Sequence, residues 1–108
     1  MCGIGGIVTS EREIQPVLNK MMSSLSHRGP DNQTSFIAGN LGLAHTRLSI
    51  IDLSESSNQP MEDSSGRYVI VYNGEIYNYK KLKKDLIEEG IEFTTEGDTE
   101  VLLKGYLK

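Results

Sequence analysis

The amino-acid sequence predicts an α+β domain, in which helices pack against a sheet of short strands. Two segments, residues 14–25 and 79–89, carry the 3.6-residue apolar spacing of amphipathic helices. Short β-prone runs separated by turn-forming residues lie between them. The chain has 108 residues, of which 37% are hydrophobic. That length and composition suit one domain with a modest core.

The first helix is predicted from an apolar stripe in residues 14–25. The stripe residues are Ile14, Val17, Leu18, Met21, Met22 and Leu25. Pro16 fits the first turn, because the N–H that proline lacks has no helical partner there. A stripe of this kind packs into a core far more often than it binds a ligand, so we assign it to the core.

Strands are predicted on both sides of this helix. The candidates are residues 7–9 as the start of a buried strand, 34–38, 41–45, 68–72 and 91–95. Gly39 and Asn40 form a turn between two of them. Residues 54–66 are polar and contain Pro60, so they are predicted to form a loop.

The second helix is predicted over residues 79–89. Asn78 is placed to cap its N-terminus and Gly90 to end it. The side chains expected to face inward are Leu82, Leu86 and Ile87. Its lysines lie among acidic residues, which is typical of a solvated helix face.

A third helix is predicted to begin near Asp98, with Val101, Leu102 and Tyr106 as candidates for burial. The pattern shows no cap or helix breaker before Lys108. We therefore expect residues 1–108 to be the N-terminal part of a longer domain. Sheet edges left unpaired by absent strands would favour association into a homo-oligomer.

Composition and charge argue against several classes of protein. The net charge of −4 is unsuited to sequence-independent nucleic-acid binding, which needs a concentrated positive face. No segment resembles a secretion signal, and no apolar run approaches the roughly 20 residues of a membrane span, so we expect a cytoplasmic protein. A single cysteine offers neither a disulfide nor a CxxC metal site.

That cysteine is the second residue, and its position allows one residue to act as both nucleophile and base. Once Met1 is removed, Cys2 carries a thiol and a free α-amine, whose reference pKa of about 7.7 to 8.0 lets it accept the thiol proton near neutrality. Glycines at positions 3, 5 and 6 leave little bulk around the sulfur. The alternative is that Cys2 is simply a small buried apolar residue.

Four further segments concentrate polar residues beside turns or strand ends. They are residues 27–31, 47–52, 73–78 and 97–100. Each also has a purely structural explanation. Residues 28–31 suit a turn after a helix, Asn73-Gly74 suits a two-residue hairpin, and Asp98 suits a helix N-cap.

Taken in order with Cys2, these segments resemble the glutaminase domain of class II glutamine amidotransferases, most closely the asparagine-synthetase type. The resemblance runs from residue 2 to the end of the chain. It rests on Met1-Cys2-Gly3-Ile4 with Gly6-Ile7, and on residues 27–31, 47–52, 73–78 and 98–102. It implies the α-β-β-α sandwich of N-terminal-nucleophile (Ntn) hydrolases, incomplete here at its C-terminal side.

The resemblance also implies roles for individual residues. Cys2 would attack the side-chain amide of glutamine and release ammonia. The side chain of Asn73 and the backbone N–H of Gly74 would form the oxyanion hole. Arg47 would bind the α-carboxylate of glutamine through its planar fork of donors.

The α-ammonium group of glutamine would be held by Glu75 and Asp98, with backbone contacts from Ile50 and Ile51. Residues 27–31 fit better as a rigid support for the site than as catalytic groups, and neither histidine is expected to act in the chemistry. We expect no metal or cofactor in this chain. Nothing in it resembles a phosphate-binding loop, so this chain alone is not expected to use ATP.

ATP and magnesium are expected only in a synthetase domain of the parent protein, which would be the partner of this domain. Asparagine synthesis is the leading hypothesis, and amidation of a sugar or another carboxylate is the alternative acceptor chemistry. A hypothesis of a different class is a truncated or inactive copy that binds a partner or self-associates without turnover.

Overall fold

The computed structural model describes residues 2–48 and 58–108, and these residues form the predicted α+β architecture with antiparallel sheets. The elements, in chain order, are β1 (Gly3–Val8), α1 (Ile14–Leu25), β2 (Asn32–Ala38), β3 (Leu41–Arg47), β4 (Met61–Glu62), β5 (Val69–Ile70), α2 (Tyr79–Glu88) and α3 (Asp98–Leu107). None of the helices in this described part is both long and apolar enough to cross a membrane.

The larger sheet has the strand order β1-β3-β2, and both pairings are antiparallel. The predicted turn at Gly39 and Asn40 joins β2 to β3, and Gly39 adopts the left-handed region with φ +56°. β1 starts at Gly3, earlier than predicted, and Val8 near its end is 76% exposed. The expectation of a buried strand beginning at residue 7 is therefore wrong, because the strand ends at Val8 and β1 is an outer strand of the sheet that the described residues form.

α1 lies across one face of this sheet, and its apolar stripe forms the core as predicted. Leu18 is fully buried and packs with Ile14 and with Ala44 of β3. Gly42 lets the helix approach closely, since a Cβ there would lie 2.4 Å from the Cγ2 atom of Ile14. The side chains at the margin of this core are Ile7, Met21 and Met22.

β3 divides its side chains between two faces, as the period-2 geometry of a strand requires. Ala44 and Thr46 face α1, and the Thr46 hydroxyl donates a hydrogen bond to the Leu25 carbonyl at 3.1 Å. His45 and Arg47 point to the other side, where they contact residues 72 and 58. The central strand therefore presents buried polar side chains on the face away from the helix.

The turn that follows α1 packs directly against the end of β3. The backbone N–H of Asp31 donates to the Arg47 carbonyl at 2.9 Å, and Pro30 forms a bridge with Arg47. Gly29 is buried between them, and a Cβ at this position would lie 2.2 Å from the carbonyl carbon of Thr46. A side chain at residue 29 cannot be accommodated unless the backbone of β3 moves.

The smaller sheet is the antiparallel pair β4 and β5, in which Met61 lies opposite Ile70. The predicted loop therefore contains a short strand, and residues 54–57 lie outside the described residues. The strand predicted over residues 68–72 shortens to Val69–Ile70. At its expected end, the backbone of Tyr72 is bound by side chains of Gln59 and His45 instead of by a strand.

α2 is confirmed at Tyr79–Glu88, and Gly90 follows its end with φ +94°. Leu86 is buried as expected, but Leu82 is 37% and Ile87 51% exposed. The prediction that all three face inward is wrong. α2 packs mainly against α3, and this contact leaves the side chains on either side of Leu86 exposed to solvent. Asn78 occupies the N-cap position but makes no side-chain cap bond.

α3 begins at Asp98, as predicted, and buries Val101, while Leu102 is half-buried. Tyr106 is 75% exposed, contrary to expectation, and its ring meets the Tyr68 ring edge to face at 5.6 Å. Residues 91–95 do not form the predicted strand. The backbone N–H groups of Thr94 and Thr95 donate instead to the buried carboxylate of Glu100.

We predict that Gly29→Ala strongly destabilises the domain, because the new Cβ would overlap backbone atoms at 2.2 Å. We expect a loss of about 2 kcal/mol or more, and hence a fall in Tm of roughly 10 °C. Gly105→Ala is the matched control. A Cβ at this helical position meets nothing within 4 Å, so alanine should stabilise α3 by about 0.5 to 1 kcal/mol. Equal melting temperatures for the two variants would contradict this packing.

Candidate active site

Cys2 lies half-buried immediately before β1, with its sulfur against the backbone of Leu48. The Leu48 N–H donates to Sγ at 3.4 Å, and the thiol faces the Leu48 carbonyl at 3.7 Å. Leu48 directly follows Arg47, the last residue of β3. The thiol is therefore held at the end of the central strand. The Leu48 N–H that points at the sulfur could also donate a hydrogen bond to a thiolate.

Arg28 holds the backbone of the same residue. Its Nε–H donates to the Cys2 carbonyl at 3.1 Å. Because the turn containing Gly29 and Asp31 is fixed against β3, this contact connects the first residues of the chain to a rigid part of the fold. His27 of the same segment is exposed.

Arg47 is buried at the end of β3, with 7% of its surface exposed. Its Nη1 donates to the Asn58 side-chain oxygen at 2.5 Å. Arg47 is followed directly by Leu48, whose backbone N–H contacts the Cys2 sulfur. One residue therefore connects Arg47 to the thiol. The structure thus brings together the predicted nucleophile and the predicted carboxylate-binding arginine.

The Asn73-Gly74 segment is held from both sides. His45 Nε2 lies 3.3 Å from the Tyr72 carbonyl, and the Tyr72 N–H donates to Gln59 Oε1 at 2.5 Å. Beyond the glycine, the Ile76 N–H donates to Asp98 Oδ2 at 2.9 Å. The hairpin explanation of Asn73-Gly74 is wrong, because α2 rather than a strand follows this segment.

Tyr72 packs against Gly74 and lies close to the acidic residues of the predicted site. A Cβ at Gly74 would meet the Tyr72 hydroxyl at 2.8 Å, so a side chain here would require the tyrosine ring to shift. Burial raises the pKa of Tyr72, and the negative charges of Asp98 and Glu75 raise it further. Gly74, Glu75 and Asp98 therefore surround one neutral phenol, with Glu75 on the exposed side.

Asp98 is buried, and its carboxylate accepts a hydrogen bond from a distant segment instead of from the first turn of its own helix. Gly97 is the N-cap of α3, and no side-chain cap bond is made there. The Asp98 carboxylate accepts the N–H of Ile76, so the N-cap explanation of this residue is wrong. Asp98 instead joins the start of α3 to the segment that carries Asn73 and Gly74.

His45 is a buried residue to which the sequence assigned no role. A ring nitrogen that faces a carbonyl must carry the proton, so Nε2 donates to Tyr72 and Nδ1 is left as an acceptor. Nδ1 has no hydrogen-bond partner among the described residues. Burial lowers the pKa of His45 and nearby Arg47 lowers it further, although the bond to Tyr72 acts in the opposite direction. A neutral ring is the form that fits this position.

Glu100 fixes the loop that leads into α3. Its carboxylate accepts the backbone N–H groups of Thr94 and Thr95 and both of their hydroxyls, and it pairs with Lys104 at 3.0 Å. Burial acts to raise the pKa of Glu100, but these hydrogen bonds outweigh it, and the pKa lies below its ordinary value of 4.5. The charged carboxylate therefore stabilises the start of the helix that carries Asp98.

Two of the predicted substrate contacts, Ile50 and Ile51, lie outside the described residues. Gln59, His45 and Tyr72 contact the predicted site but were missed from the sequence. Tyr72 directly precedes the Asn73-Gly74 motif, which is the one local signal that could have indicated it. Among residues 2–48 and 58–108, no three His, Cys, Asp or Glu side chains are grouped so as to hold a metal ion.

A family model described as a glutamine amidotransferase domain matches residues 1–108. This chain belongs to that family. The family predicted from Cys2 and the four polar segments is thus confirmed.

Similar proteins include several named as asparagine synthetases. The chain is 43% identical over 127 residues to a putative glutamine-hydrolysing asparagine synthetase 2 of Methanocaldococcus jannaschii, which covers 100% of this chain and 24% of the relative. It is 38% identical over 111 residues to glutamine-hydrolysing asparagine synthetase 1 of Bacillus subtilis, covering 98% and 17%. It is also 38% identical over 120 residues to amidase chry2 of Gibberella zeae, covering 98% and 18%. The glutamine amidotransferase chain thus spans a quarter or less of the length of these relatives.

The Glu100 carboxylate predicts a pH-dependent contribution to stability. Because its pKa is lowered on folding, its contribution is complete above the unfolded value of about 4.5 and is lost as the pH falls through the folded value. Glu100→Gln should therefore cost about 1.5 to 3 kcal/mol at pH 7, and this difference from wild type should shrink below pH 4.5.

Urea unfolding of both proteins at several pH values between 7 and 3 measures this difference. His45 is present in both proteins, so its own titration cancels in the comparison. A difference that stays constant over the whole range would show that the charge of Glu100 does not stabilise the fold.

Proposed function

We propose that this chain is the glutamine-hydrolysing domain of an asparagine-synthetase-like enzyme, with Cys2 as the nucleophile once Met1 is removed. The observation that carries the proposal is the set of contacts made by β3. Its extension at Leu48 holds the Cys2 sulfur, Arg47 ends the strand, and His45 binds the segment that leads into Asn73. One strand thereby connects the proposed nucleophile, carboxylate site and oxyanion hole.

The proposed chemistry needs only groups of this chain and glutamine. The α-amine of Cys2 accepts the thiol proton as sulfur attacks the side-chain carbonyl carbon of glutamine, and a C–S bond forms. The oxyanion accepts hydrogen bonds from the Asn73 side chain and the Gly74 N–H. The C–N bond then breaks as the protonated α-amine of Cys2 gives its proton to the departing nitrogen. Ammonia is released, and a thioester between Cys2 and the glutamyl group remains. Water hydrolyses the thioester to glutamate and restores the thiol.

Recognition of glutamine is assigned to groups of opposite charge. The guanidinium of Arg47 would pair with the α-carboxylate, and the carboxylates of Asp98 and Glu75 would hold the α-ammonium. Burial is the main cause of the raised pKa of Tyr72, and the charges of Asp98 and Glu75 add to it, so both carboxylates act on the same phenol. Ile50 and Ile51 would supply backbone contacts.

The same proposal accounts for the layers of the fold. α1 on the β1-β3-β2 sheet would form one helix layer and one sheet layer of an α-β-β-α Ntn-hydrolase sandwich. The β4-β5 sheet with α2 and α3 would belong to the facing half. The length of the relatives supports a synthetase domain elsewhere in the parent protein, where ATP and magnesium would act.

The acceptor of the ammonia is proposed to be the aspartate that asparagine synthesis requires. Relatives named asparagine synthetases support this assignment. The alternative is that a sugar or another carboxylate accepts the ammonia. Competition assays with aspartate and other carboxylates in the full-length protein would separate the two.

We predict that Cys2→Ala abolishes ammonia release from glutamine while leaving the fold and glutamine affinity largely unchanged, because it removes the nucleophile and keeps the binding groups. The assay uses full-length protein with Met1 removed, as verified by mass spectrometry. A glutamine analogue with an electrophilic ketone should label wild type at Cys2 only. Turnover in the variant, or labelling at another residue, would overturn the mechanism. A wild-type protein that lacks Met1 yet releases no ammonia would favour the inactive binding copy.

We predict that Arg47→Lys weakens glutamine binding, because lysine keeps the charge but loses the planar fork of donors. The loss should be on the order of 1.5 to 3 kcal/mol, which corresponds to a rise in KM of about 10-fold or more. Arg12→Lys at an exposed position is the matched control. An unchanged KM in Arg47→Lys would assign the α-carboxylate to another group.

A further inference from the structure

The consecutive residues Asn58 and Gln59 contact three separate parts of the proposed glutamine site. The Asn58 side-chain oxygen accepts from Arg47 Nη1 at 2.5 Å. Gln59 Oε1 accepts the Tyr72 N–H at 2.5 Å, and Gln59 Nε2 donates to the Thr99 hydroxyl at 3.1 Å. Neither residue belongs to the four polar segments that the sequence singled out.

Gln59 is buried, with 6% of its surface exposed, and Thr99 is buried beside it at 7%. A buried amide must satisfy both its acceptor and its donor, because each unpaired polar group would cost free energy. Gln59 does so with two partners from distant parts of the chain, Tyr72 and Thr99 of α3. The amide therefore sets the distance between the residue before Asn73 and the first turn of α3.

The contacts around Gln59 form a closed ring. From Tyr72 the ring passes through Gln59 to Thr99, along the chain to Asp98, and across to Ile76, whose N–H binds the Asp98 carboxylate. The residues enclosed between Tyr72 and Ile76 are Asn73, Gly74 and Glu75, the proposed oxyanion hole and one proposed ammonium ligand. A ring of this kind fixes these groups relative to Asp98.

We infer that Asn58 and Gln59 are positioning residues that align the oxyanion hole and the two charged ends of the glutamine site. Gln59 aligns the Asn73-Gly74 segment with Asp98, and Asn58 orients Arg47. The inference rests on the proposed glutaminase function and adds to it residues that touch other side chains and the backbone rather than substrate.

The Gln59 side chain makes two hydrogen bonds, one with the Tyr72 N–H (the Tyr72 arm) and one with the Thr99 hydroxyl (the Thr99 arm). Their loss should have different effects on kinetics. The Tyr72 arm acts on the oxyanion hole, whose bonds strengthen in the transition state, so its loss should lower kcat. The Thr99 arm acts on the helix that carries Asp98, which binds glutamine in the ground state as well, so its loss should raise KM.

The experiment measures kcat and KM for glutamine hydrolysis in the full-length protein with Met1 removed. Labelling of Cys2 by the ketone analogue counts active sites, so that kcat is expressed per labelled site. Gln59→Met removes both hydrogen bonds of the amide. Thr99→Val removes the Thr99 hydroxyl, and Thr99→Ser keeps it. Gln33→Met is the matched control, because it makes the same change at an exposed position of β2.

We expect Gln59→Met to lower kcat per labelled site by about 10-fold or more and to raise KM as well. Thr99→Val should raise KM severalfold with a smaller change in kcat, and Thr99→Ser should restore wild-type KM. Gln33→Met should match wild type. Asn58→Ala should raise KM without changing kcat per labelled site.

A merely structural role would reduce the number of labelled sites and leave kcat per site and KM unchanged, which would overturn the inference. If Gln59→Met yields no folded protein, the Thr99→Val and Thr99→Ser pair decides, since equal KM values would refute the alignment of Asp98. These failures differ from failure of the proposed function itself, in which Cys2→Ala would still release ammonia or the analogue would not label Cys2.

Discussion

The antiparallel pairing of β3 with β1 on one side and β2 on the other determines which side chains face the site. Gly3 lies opposite Thr46, and Asn32 lies opposite Arg47. A shift of one residue would turn His45 and Arg47 toward α1 and Thr46 away from it, because side chains alternate along a strand. The buried packing of Leu18 against Ala44 opposes such a shift. The apolar core on one face thus fixes the polar groups on the other.

The segment from residue 72 to residue 76 has a different source of order, since it lies in no strand or helix, although the N–H of Tyr79 at the start of α2 donates to the Ile76 carbonyl. Side chains from three distant regions supply the bonds, namely His45, Gln59 and Asp98. Buried polar networks of this type hold one geometry when every member is satisfied and fail when a member is lost. Nδ1 of His45 departs from this rule, since it has no hydrogen-bond partner among residues 2–48 and 58–108; the neighbouring Arg47 charge disfavours its protonation.

Local patterns in the sequence were sufficient for some features and insufficient for others. The spacing of apolar residues gave α1 with the observed ends, and Gly90 marked the end of α2, because both signals lie within a few residues of the element. The strand expected at residues 68–72 is shortened to β5, and the one expected at 91–95 does not form, since backbone groups of Tyr72 and Thr95 bind side chains that are distant or belong to α3. Gln59 was missed for the same reason: its partner Thr99 is 40 residues away. No local pattern carries such a pairing.

The contacts of Cys2 bear on the maturation of the protein. Arg28 donates to the backbone carbonyl of Cys2, and Leu48 donates to its sulfur. Neither involves the nitrogen that joins Met1. Under the proposed mechanism, cleavage of that one peptide bond creates the base without any rearrangement of the nucleophile. Met1 would then act as a one-residue propeptide, and the step that removes it would set when the glutaminase site becomes active.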